Sequence, residues 1–262
     1  MSKTVELTRR MQAAADMVSP GSRVCDVGCD HGYVSIYLVQ TGKAPHVLAM
    51  DVNKGPLLRA KEHVEKYHVE DYITLRLSDG LTAYRKGEAE SLICAGMGGR
   101  LMMNILEKDL SKTFDFHELI LQPQSEIPLF RKFLREKGYI FIKEDMILEE
   151  GKFYPLMKVI RGKNGAAEGA QDEKGRKEDK ERDSAETEES KELCLLQDML
   201  GPLLLKEKHP VLLQFIQKEI SLKQEILDKL EGQEAGSRSM KRKEELLLEL
   251  SLFRKAETLW KS

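Results

Sequence analysis

Several residue types whose presence would narrow the function are scarce in this chain. Of its 262 residues one is tryptophan, 6% are aromatic and four are cysteine, Cys25, Cys29, Cys94 and Cys194. The cysteines lack the paired spacing of a structural zinc site, which leaves them as small apolar residues or free thiols of a reducing compartment and makes disulfides unnecessary. No apolar run is long enough to span a bilayer, and the opening stretch MSKTVELTRRMQAAADMV alternates charge with apolar residues at helical spacing instead of reading as a signal peptide. A soluble, cytoplasmic protein is the expectation. An excess of either charge is missing too: 42 Lys and Arg against 44 Asp and Glu give a formal net charge of -2. That balance excludes recruitment of nucleic acid by the field of the whole molecule, so a nucleic-acid partner would have to be met by a local basic patch.

What is present falls into three parts. Residues 161–192, RGKNGAAEGAQDEKGRKEDKERDSAETEESKE, hold almost no large apolar side chain and are dense in charge. Such a stretch cannot offset the entropy of ordering itself, and it reads as a linker. Before it, over 1–160, short β-branched or apolar runs alternate with stretches of helical period, the pattern of crossover units on a parallel sheet. Helices are expected over 7–18, 33–40, 56–67, 101–108 and 127–137, and strands over 23–27, 47–51, 73–77, 91–95 and 119–122. The last two runs, YIFIKEDMIL and KFYPLMKVIR, are joined only by EEGK. That leaves no room for a crossover helix, so they are expected to pair as an antiparallel hairpin and give the parallel sheet one reversed strand.

After the linker, over 193–262, the period is helical. Leu213, Ile216, Ile220, Leu227 and Leu230 recur at threes and fours with Lys223 interrupting the seam, and Leu246, Leu250, Phe253 and Trp260 repeat the spacing. The glycine- and serine-rich EGQEAGSRS between them makes an antiparallel two-helix hairpin the economical reading. Its seam reports packing and leaves open whether the hairpin also grips a substrate.

The loop DVGCDHG, Asp26 to Gly32, follows the first strand. A dinucleotide loop uses three glycines to bring its backbone to a pyrophosphate, whereas here Asp30 stands where the second glycine belongs. A carboxylate there repels phosphate, so a cofactor with positive charge and no phosphate fits better, S-adenosyl-L-methionine being the example. Asp26, Gly28 and Asp30 would hold its amino-acid end. Asp51, with Val52 beside it, ends the second strand where a carboxylate can accept from both ribose hydroxyls, and Asp79 with Gly80 in LSDGL follows the third strand, where adenine would lie. Each aspartate alone is equally a turn or cap residue; three at successive strand ends point to a site. Cys29, Asp30 and His31 are all ligand types, but neighbours on a tight turn point in different directions, and no metal is expected. His31 reads as a helix-start residue that shapes the loop. CAGMGGRL, after the fourth strand, lacks the Asn/Asp-Pro-Pro-aromatic quartet of enzymes that methylate the adenine amine. Its glycines let the backbone near Ala95, Gly96 and Gly98 approach a planar substrate while Met97 packs on it, although a glycine-rich turn opening a helix would look the same.

Together DVGCDHGYVSIYL, AGMGGRLMMNIL, LILQPQ and GKFYPLMKVI resemble the bacterial tRNA (adenine(22)-N(1))-methyltransferase family, the TrmK family, across the α/β domain and in domain order. Two segments depart from the family pattern: its Ala-Tyr-Leu-Pro is here Gly32, Tyr33, Val34 and Ser35, and its Gln-Pro-Asn is here Gln122, Pro123 and Gln124. The resemblance implies a Rossmann-like class I methyltransferase sheet, mostly parallel with the last strand antiparallel, and a C-terminal helical hairpin of coiled-coil type. It implies a monomeric enzyme that takes the methyl group of S-adenosyl-L-methionine onto N1 of an adenine in the D-arm region of tRNA. On that reading N1 attacks the methyl in line, Asp30 stabilises the developing cation or takes the amino proton, and Gly96, Met97 and Gly98 wall the cofactor from its target. Arg100, Arg131, Lys132 and Arg135, with Arg238, Lys241, Arg242 and Lys243 on the last helix, are the candidate RNA contacts, each equally readable as a solvated helix face. A small-molecule or protein acceptor for the same cofactor, and a non-enzymatic partner-binding module, are the alternatives.

Overall fold

The computed structural model describes residues 4–162, 187–231 and 237–260. Most of the expected linker (163–186) and the expected turn between the last two helices (232–236) lie outside the described residues. The chain divides into two compact units, Met1–Ala185 and Glu186–Ser262.

The first unit opens with α1 (Arg9–Met17) and continues β1 (Val24–Val27), α2 (Tyr33–Gln40), β2 (Val47–Asp51), α3 (Lys54–Tyr67) and β3 (Ile73–Leu77). Then come β4 (Ser91–Met97), α4 (Gly99–Lys108), the single turn α5 (Leu110–Thr113), β5 (Glu118–Pro123), α6 (Ile127–Glu136), β6 (Tyr139–Glu149) and β7 (Lys152–Arg161). The seven strands form one sheet in the order β3-β2-β1-β4-β5-β7-β6. Pairing is parallel from β3 through β5, while β7 runs antiparallel to both β5 and β6. The reversed strand is thus the last in the chain, inserted between β5 and the edge strand β6.

β1, β2 and β5 are buried along their whole length, as strands covered on both faces must be, which explains their continuous apolar runs. Alternate residues feed two cores. Cys25, Leu48, Leu92 and Leu119 pack with Met102, Leu106, Phe130 and Leu134 on one face, and Val24, Val47, Ala49 and Ile93 pack with Ala14, Ala15, Ile36 and Leu38 on the other. At the amino ends of β4 and β5 a buried carboxylate is fully partnered: Glu118 accepts from Ser19 Oγ at 2.6 Å and Ser91 Oγ at 2.8 Å and pairs with Lys158 Nζ at 2.6 Å. Burial alone would raise this carboxyl, but those donors hold it below its usual range. The polar knot closes the floor of the sheet, at the end opposite the loops. Because β1 is flanked by β2 on one side and β4 on the other, the strand order reverses there and opens a crevice at the carboxyl ends of β1 and β4.

Among its described residues the second unit holds the expected pair of helices, α9 (Pro210–Glu231) and α10 (Ser237–Thr258), preceded by two that the spacing did not announce, α7 (Glu188–Leu200) and α8 (Pro202–Lys206). Helix α7 begins inside the stretch whose charge density reads as linker. Thr187 caps it by accepting from Ser190 N–H at 3.2 Å, and Glu188 and Glu189 suit the positive end of the helix dipole. α9 and α10 form the antiparallel pair, with Phe215 against Phe253 at one end and Leu227 packed with Leu246 and Leu250 at the other. Leu212 is buried where the spacing pointed to Leu213. Lys223 does not weaken the seam as a lone charge would: it bridges Glu219 at 2.8 Å and Glu249 at 3.0 Å and lies 5.0 Å from the Phe253 ring centre. Burial works to lower its pKa, and the two carboxylates outweigh burial and raise it.

Candidate active site

A cleft of about 770 Å³ opens at the reversal in strand order. Asp26, Gly28, Asp30, His31, Asp51, Val52, Asp79, Gly80, Gly96 and Met97 all line it, so the structure brings together the strand-end residues that the sequence singles out. The β1 loop is fixed by backbone first: Gly28 and Cys29 N–H both donate to Met50 C=O, at 2.8 and 3.0 Å. Gly28 takes a φ of 76°, a conformation that favours glycine, and a Cβ there would meet the mobile end of Met97, its Cε, at 2.8 Å. On β2, Asp51 organises the rest: one carboxylate oxygen accepts from Asp30 N–H at 3.2 Å and the other from Asn53 N–H at 2.9 Å.

Asp26 and Asp30 sit in opposite environments. Asp26 is 4% exposed and accepts from Ser35 Oγ at 2.6 Å. Burial pushes its carboxyl up to about 6, the Ser35 bond working against burial and the Asp51 charge adding to it. A pKa raised in the folded state means that the native form is favoured below the unfolded value of 3.8 and loses that advantage as pH rises through about 6. Asp26→Asn is therefore expected to be more stable than the parent at pH 8, by at most about 3 kcal/mol, with the gap closing toward pH 4; urea melts of both proteins across that range check it. Asp30, by contrast, has a left-handed φ of 46° and a side chain 63% exposed at the cleft mouth. Its carboxylate lies 3.6 Å from the Arg59 guanidinium and 3.5 Å from His31 Nε2. His31 in turn belongs to a ring cluster with Tyr33 and His63, in which the Tyr33 hydroxyl and His63 Nε2 are 3.1 Å apart. Asp79 is tied to Lys108 at 2.6 Å on the cleft rim.

The glycine-rich carboxyl end of β4, which extends two residues beyond the expected strand to Met97, forms the opposite wall. Gly96, at φ 84°, donates its N–H to Gln122 Oε1 at 3.1 Å, and the same oxygen takes a 3.4 Å bond from Arg10. Gly98 is not part of the lining: it packs against the next loop, where a Cβ would come within 3.0 Å of Ser125 Oγ. The close approach to the loop after β5 needs glycine at the next position, Gly99, where a Cβ would meet the Ser125 carbonyl oxygen at 2.6 Å. Sequence reasoning missed the third wall, made by Glu6, Leu7, Thr8, Arg10 and Met11 from the segment that enters α1. Arg10 is held by Glu149 at 3.5 Å and stacks 4.9 Å from the Tyr154 ring centre, contacts between residues far apart in the chain that no local spacing announces.

Of the candidate RNA contacts on this unit, Arg100, Lys132 and Arg135 are exposed, with Arg100 paired to Glu126 and Lys132 near Glu136 at 3.8 Å. Arg131 is a correction: it is 1% exposed, and its Nε donates to the equally buried Glu144 at 3.0 Å. Lying on the same face of α6 as Phe130 and Leu134, it faces β6 instead of solvent. Because a buried ion pair gives up hydration that apolar packing never needed, Arg131→Met combined with Glu144→Leu is expected to leave unfolding free energy unchanged or to raise it by up to about 4 kcal/mol, as read from urea denaturation. On the second unit Lys241 and Arg242 are exposed, Arg242 pairs with Glu245 at 3.2 Å, Lys243 is half-buried, and the Arg238 side chain lies outside the described residues. Among the described residues no cluster of His, Cys, Asp and Glu could hold a metal, and Cys25, Cys29 and Cys94 are buried free thiols. No helix among them is long and apolar enough to cross a membrane.

An open sheet with its cleft at the strand-order reversal, acidic strand ends and no phosphate-binding glycine triplet defines a Rossmann-like methyltransferase. A family profile described as "Methyltransferase domain" matches residues 7–157. The tRNA (adenine(22)-N(1))-methyltransferase of Bacillus subtilis is 32% identical over 240 residues, which is 91% of this chain and 91% of that one. The crystal structure of the B. subtilis m1A22 tRNA methyltransferase TrmK superimposes with a TM-score of 0.77 at 29% identity, over 97% of this chain and 99% of the other. A Streptococcus pneumoniae structure, a candidate tRNA (m1A22) methyltransferase in complex with S-adenosyl-L-methionine, gives a TM-score of 0.75 at 27% identity over 96% of this chain and all of that one. The chain belongs to the tRNA (adenine(22)-N(1))-methyltransferase family.

Proposed function

We propose that this protein methylates N1 of an adenine in tRNA, at the position 22 carried in the names of its relatives, with S-adenosyl-L-methionine as donor. The observation that carries the reading is the pairing, in one cleft, of three carboxylates on the β1, β2 and β3 side with a glycine-rich wall at the carboxyl end of β4. The donor set suits that cofactor: carboxylates meet ammonium, sulfonium and ribose hydroxyls favourably, and would repel the phosphates of a dinucleotide. When bound, it supplies an electrophilic methyl group, and the N1 lone pair of adenine forms the new N–C bond while the sulfur keeps the pair of the broken C–S bond.

The chain's own contribution is then placement and charge. Asp26 and the Gly28 backbone would hold the methionine end, with His31 shaping the loop. Asp51 would accept from the ribose hydroxyls, beside Val52, and Asp79 with Gly80 would border the adenine ring of the cofactor. Gly96 and Met97, with Gly98 bracing the loop behind them, would separate cofactor from target. Asp30, at the mouth, would face the target base as it becomes cationic. Arg100, Lys132 and Arg135 on residues 1–160, and Arg238, Lys241, Arg242 and Lys243 on the helical residues 193–262 beyond the charged linker, would meet RNA phosphates. The protein is read as a cytoplasmic monomer.

Nucleoside mass spectrometry of tRNA incubated with the protein and methyl-labelled cofactor tests the reading directly. N1-methyladenosine is the expected product. A different methylated nucleoside, or none, overturns it.

A further inference from the structure

An enzyme that methylates N1 has to identify adenine without touching the atom it methylates. The Watson–Crick edge of the base offers N1 and the N6 amino group, and N1 must stay bare toward the incoming methyl. Recognition is therefore left to the Hoogsteen edge, where adenine pairs a donor at N6 with an acceptor at N7 and guanine presents two acceptors. A side-chain amide matches the adenine pattern with two hydrogen bonds.

The cleft holds two amides of that kind at its mouth, Asn53 and Gln124. Asn53 follows β2 beside Asp51, on the side assigned to ribose. Gln124 follows β5, on the side of the glycine wall, and is held there by its N–H donating to Met97 C=O at 2.9 Å. Its Nε2 lies 3.7 Å from where a Cβ on Gly96 would stand, which places the amide in contact range of the glycine wall. Four other polar side chains of the cleft already have partners within the protein: Asp26 has Ser35, Asp51 two backbone N–H groups, Asp79 Lys108 and Tyr33 His63. Two positions below it on β5, Gln122 is buried and spends its oxygen on Gly96 and Arg10. The Gln124 amide is exposed and has no hydrogen-bond partner among the described residues.

We infer that Gln124 is the residue that selects adenine, its Oε1 accepting from N6 and its Nε2 donating to N7 of the target base. The inference rests on the N1-methylation reading above. It adds a kinetic consequence: as positive charge develops on the ring the N6–H becomes a stronger donor, so the Oε1 bond strengthens on the way to the transition state and kcat falls along with affinity when it is lost.

The test uses the full-length protein, a synthetic tRNA with adenine at the target position, and the same tRNA carrying 7-deazaadenine there alone. The parent protein is expected to produce N1-methyladenosine and to lose about tenfold in kcat/KM on the 7-deaza substrate. Gln124→Ala is expected to lose about 10- to 100-fold in kcat/KM on the adenine substrate, to show no further loss on the 7-deaza substrate, and to bind S-adenosylhomocysteine as the parent does. Gln124→Glu, which keeps the N6 acceptor and loses the N7 donor, is expected to fall between the parent and Gln124→Ala on the adenine substrate and to show no further loss on the 7-deaza substrate. The assignment of Gln124 is overturned if Gln124→Ala keeps parental kcat/KM, if its 7-deaza penalty equals the parent's, or if its cofactor affinity falls in parallel. If the parent itself forms no N1-methyladenosine, it is the underlying reading that fails.

Discussion

Asp51→Ala is expected to weaken S-adenosylhomocysteine binding by about 10²- to 10⁴-fold in calorimetry, the loss of two charge-assisted hydrogen bonds at roughly 1.5–3 kcal/mol each. The carboxylate is 8% exposed and already accepts one backbone N–H on each oxygen, from Asp30 and from Asn53. Each carboxylate oxygen has a second lone pair, and those are what the proposed ribose hydroxyls would use. Removing the side chain therefore acts twice: it deletes the ribose acceptors, and it leaves the Asp30 and Asn53 N–H groups without the acceptor that sets their loops. Asp51→Asn separates the two effects. It keeps one acceptor oxygen and removes the charge, so its affinity should fall between parent and Asp51→Ala. An Asp51→Ala protein that binds within threefold of the parent would remove Asp51 from the cofactor site.

The local signals in the chain were enough for the parallel part of the sheet, because β1 to β5 are short, mostly apolar and bounded by turn residues. The expected strands at 47–51 and 73–77 have the observed ends, and the expected helix at 33–40 coincides with α2. EEGK, too short for a crossover, correctly announced the reversed pair β6 and β7. The cleft was half legible. Asp26 is the penultimate residue of β1, Asp51 ends β2 and Asp79 follows β3, and parallel strand ends converge at one edge of the sheet. What stayed hidden depends on tertiary contacts. The wall from Glu6 to Met11 faces the cleft only because α1 docks on the sheet, and Arg10 reaches Gln122 across 112 positions of sequence. Arg131 was misplaced for a different reason: its charge suggested solvent, whereas its spacing to Leu134 already put it on the buried face of α6, and the compensating Glu144 sits on another element. α7 shows the same limit at its start, where capping by Thr187 outweighs a charge-dense composition.

Asp30→Asn is expected to lower kcat for tRNA methylation by about 10²- to 10⁴-fold while leaving S-adenosylhomocysteine affinity within a few-fold of the parent. Asparagine is the informative replacement because Asp30 sits at a φ of 46°, a left-handed conformation that asparagine tolerates and alanine resists. The Asp30 N–H that donates to Asp51 is kept, so the β1 loop should hold its shape and only the charge is lost. In the free protein that charge is mostly in solvent, 63% exposed and shared loosely with Arg59 and His31 at 3.6 and 3.5 Å. Interactions across water are weak, so an exposed carboxylate would give a cationic base little help. Covering the mouth with RNA changes that balance, because displaced water lowers the local dielectric just where positive charge develops on the ring. Asp30 would then act chiefly in the transition state, and its removal should appear in kcat instead of cofactor binding. Parallel measurement of single-turnover rate and cofactor affinity distinguishes this from a holding role: a kcat near the parent's with intact binding removes Asp30 from the chemistry, and a collapse of cofactor affinity assigns it to the methionine end.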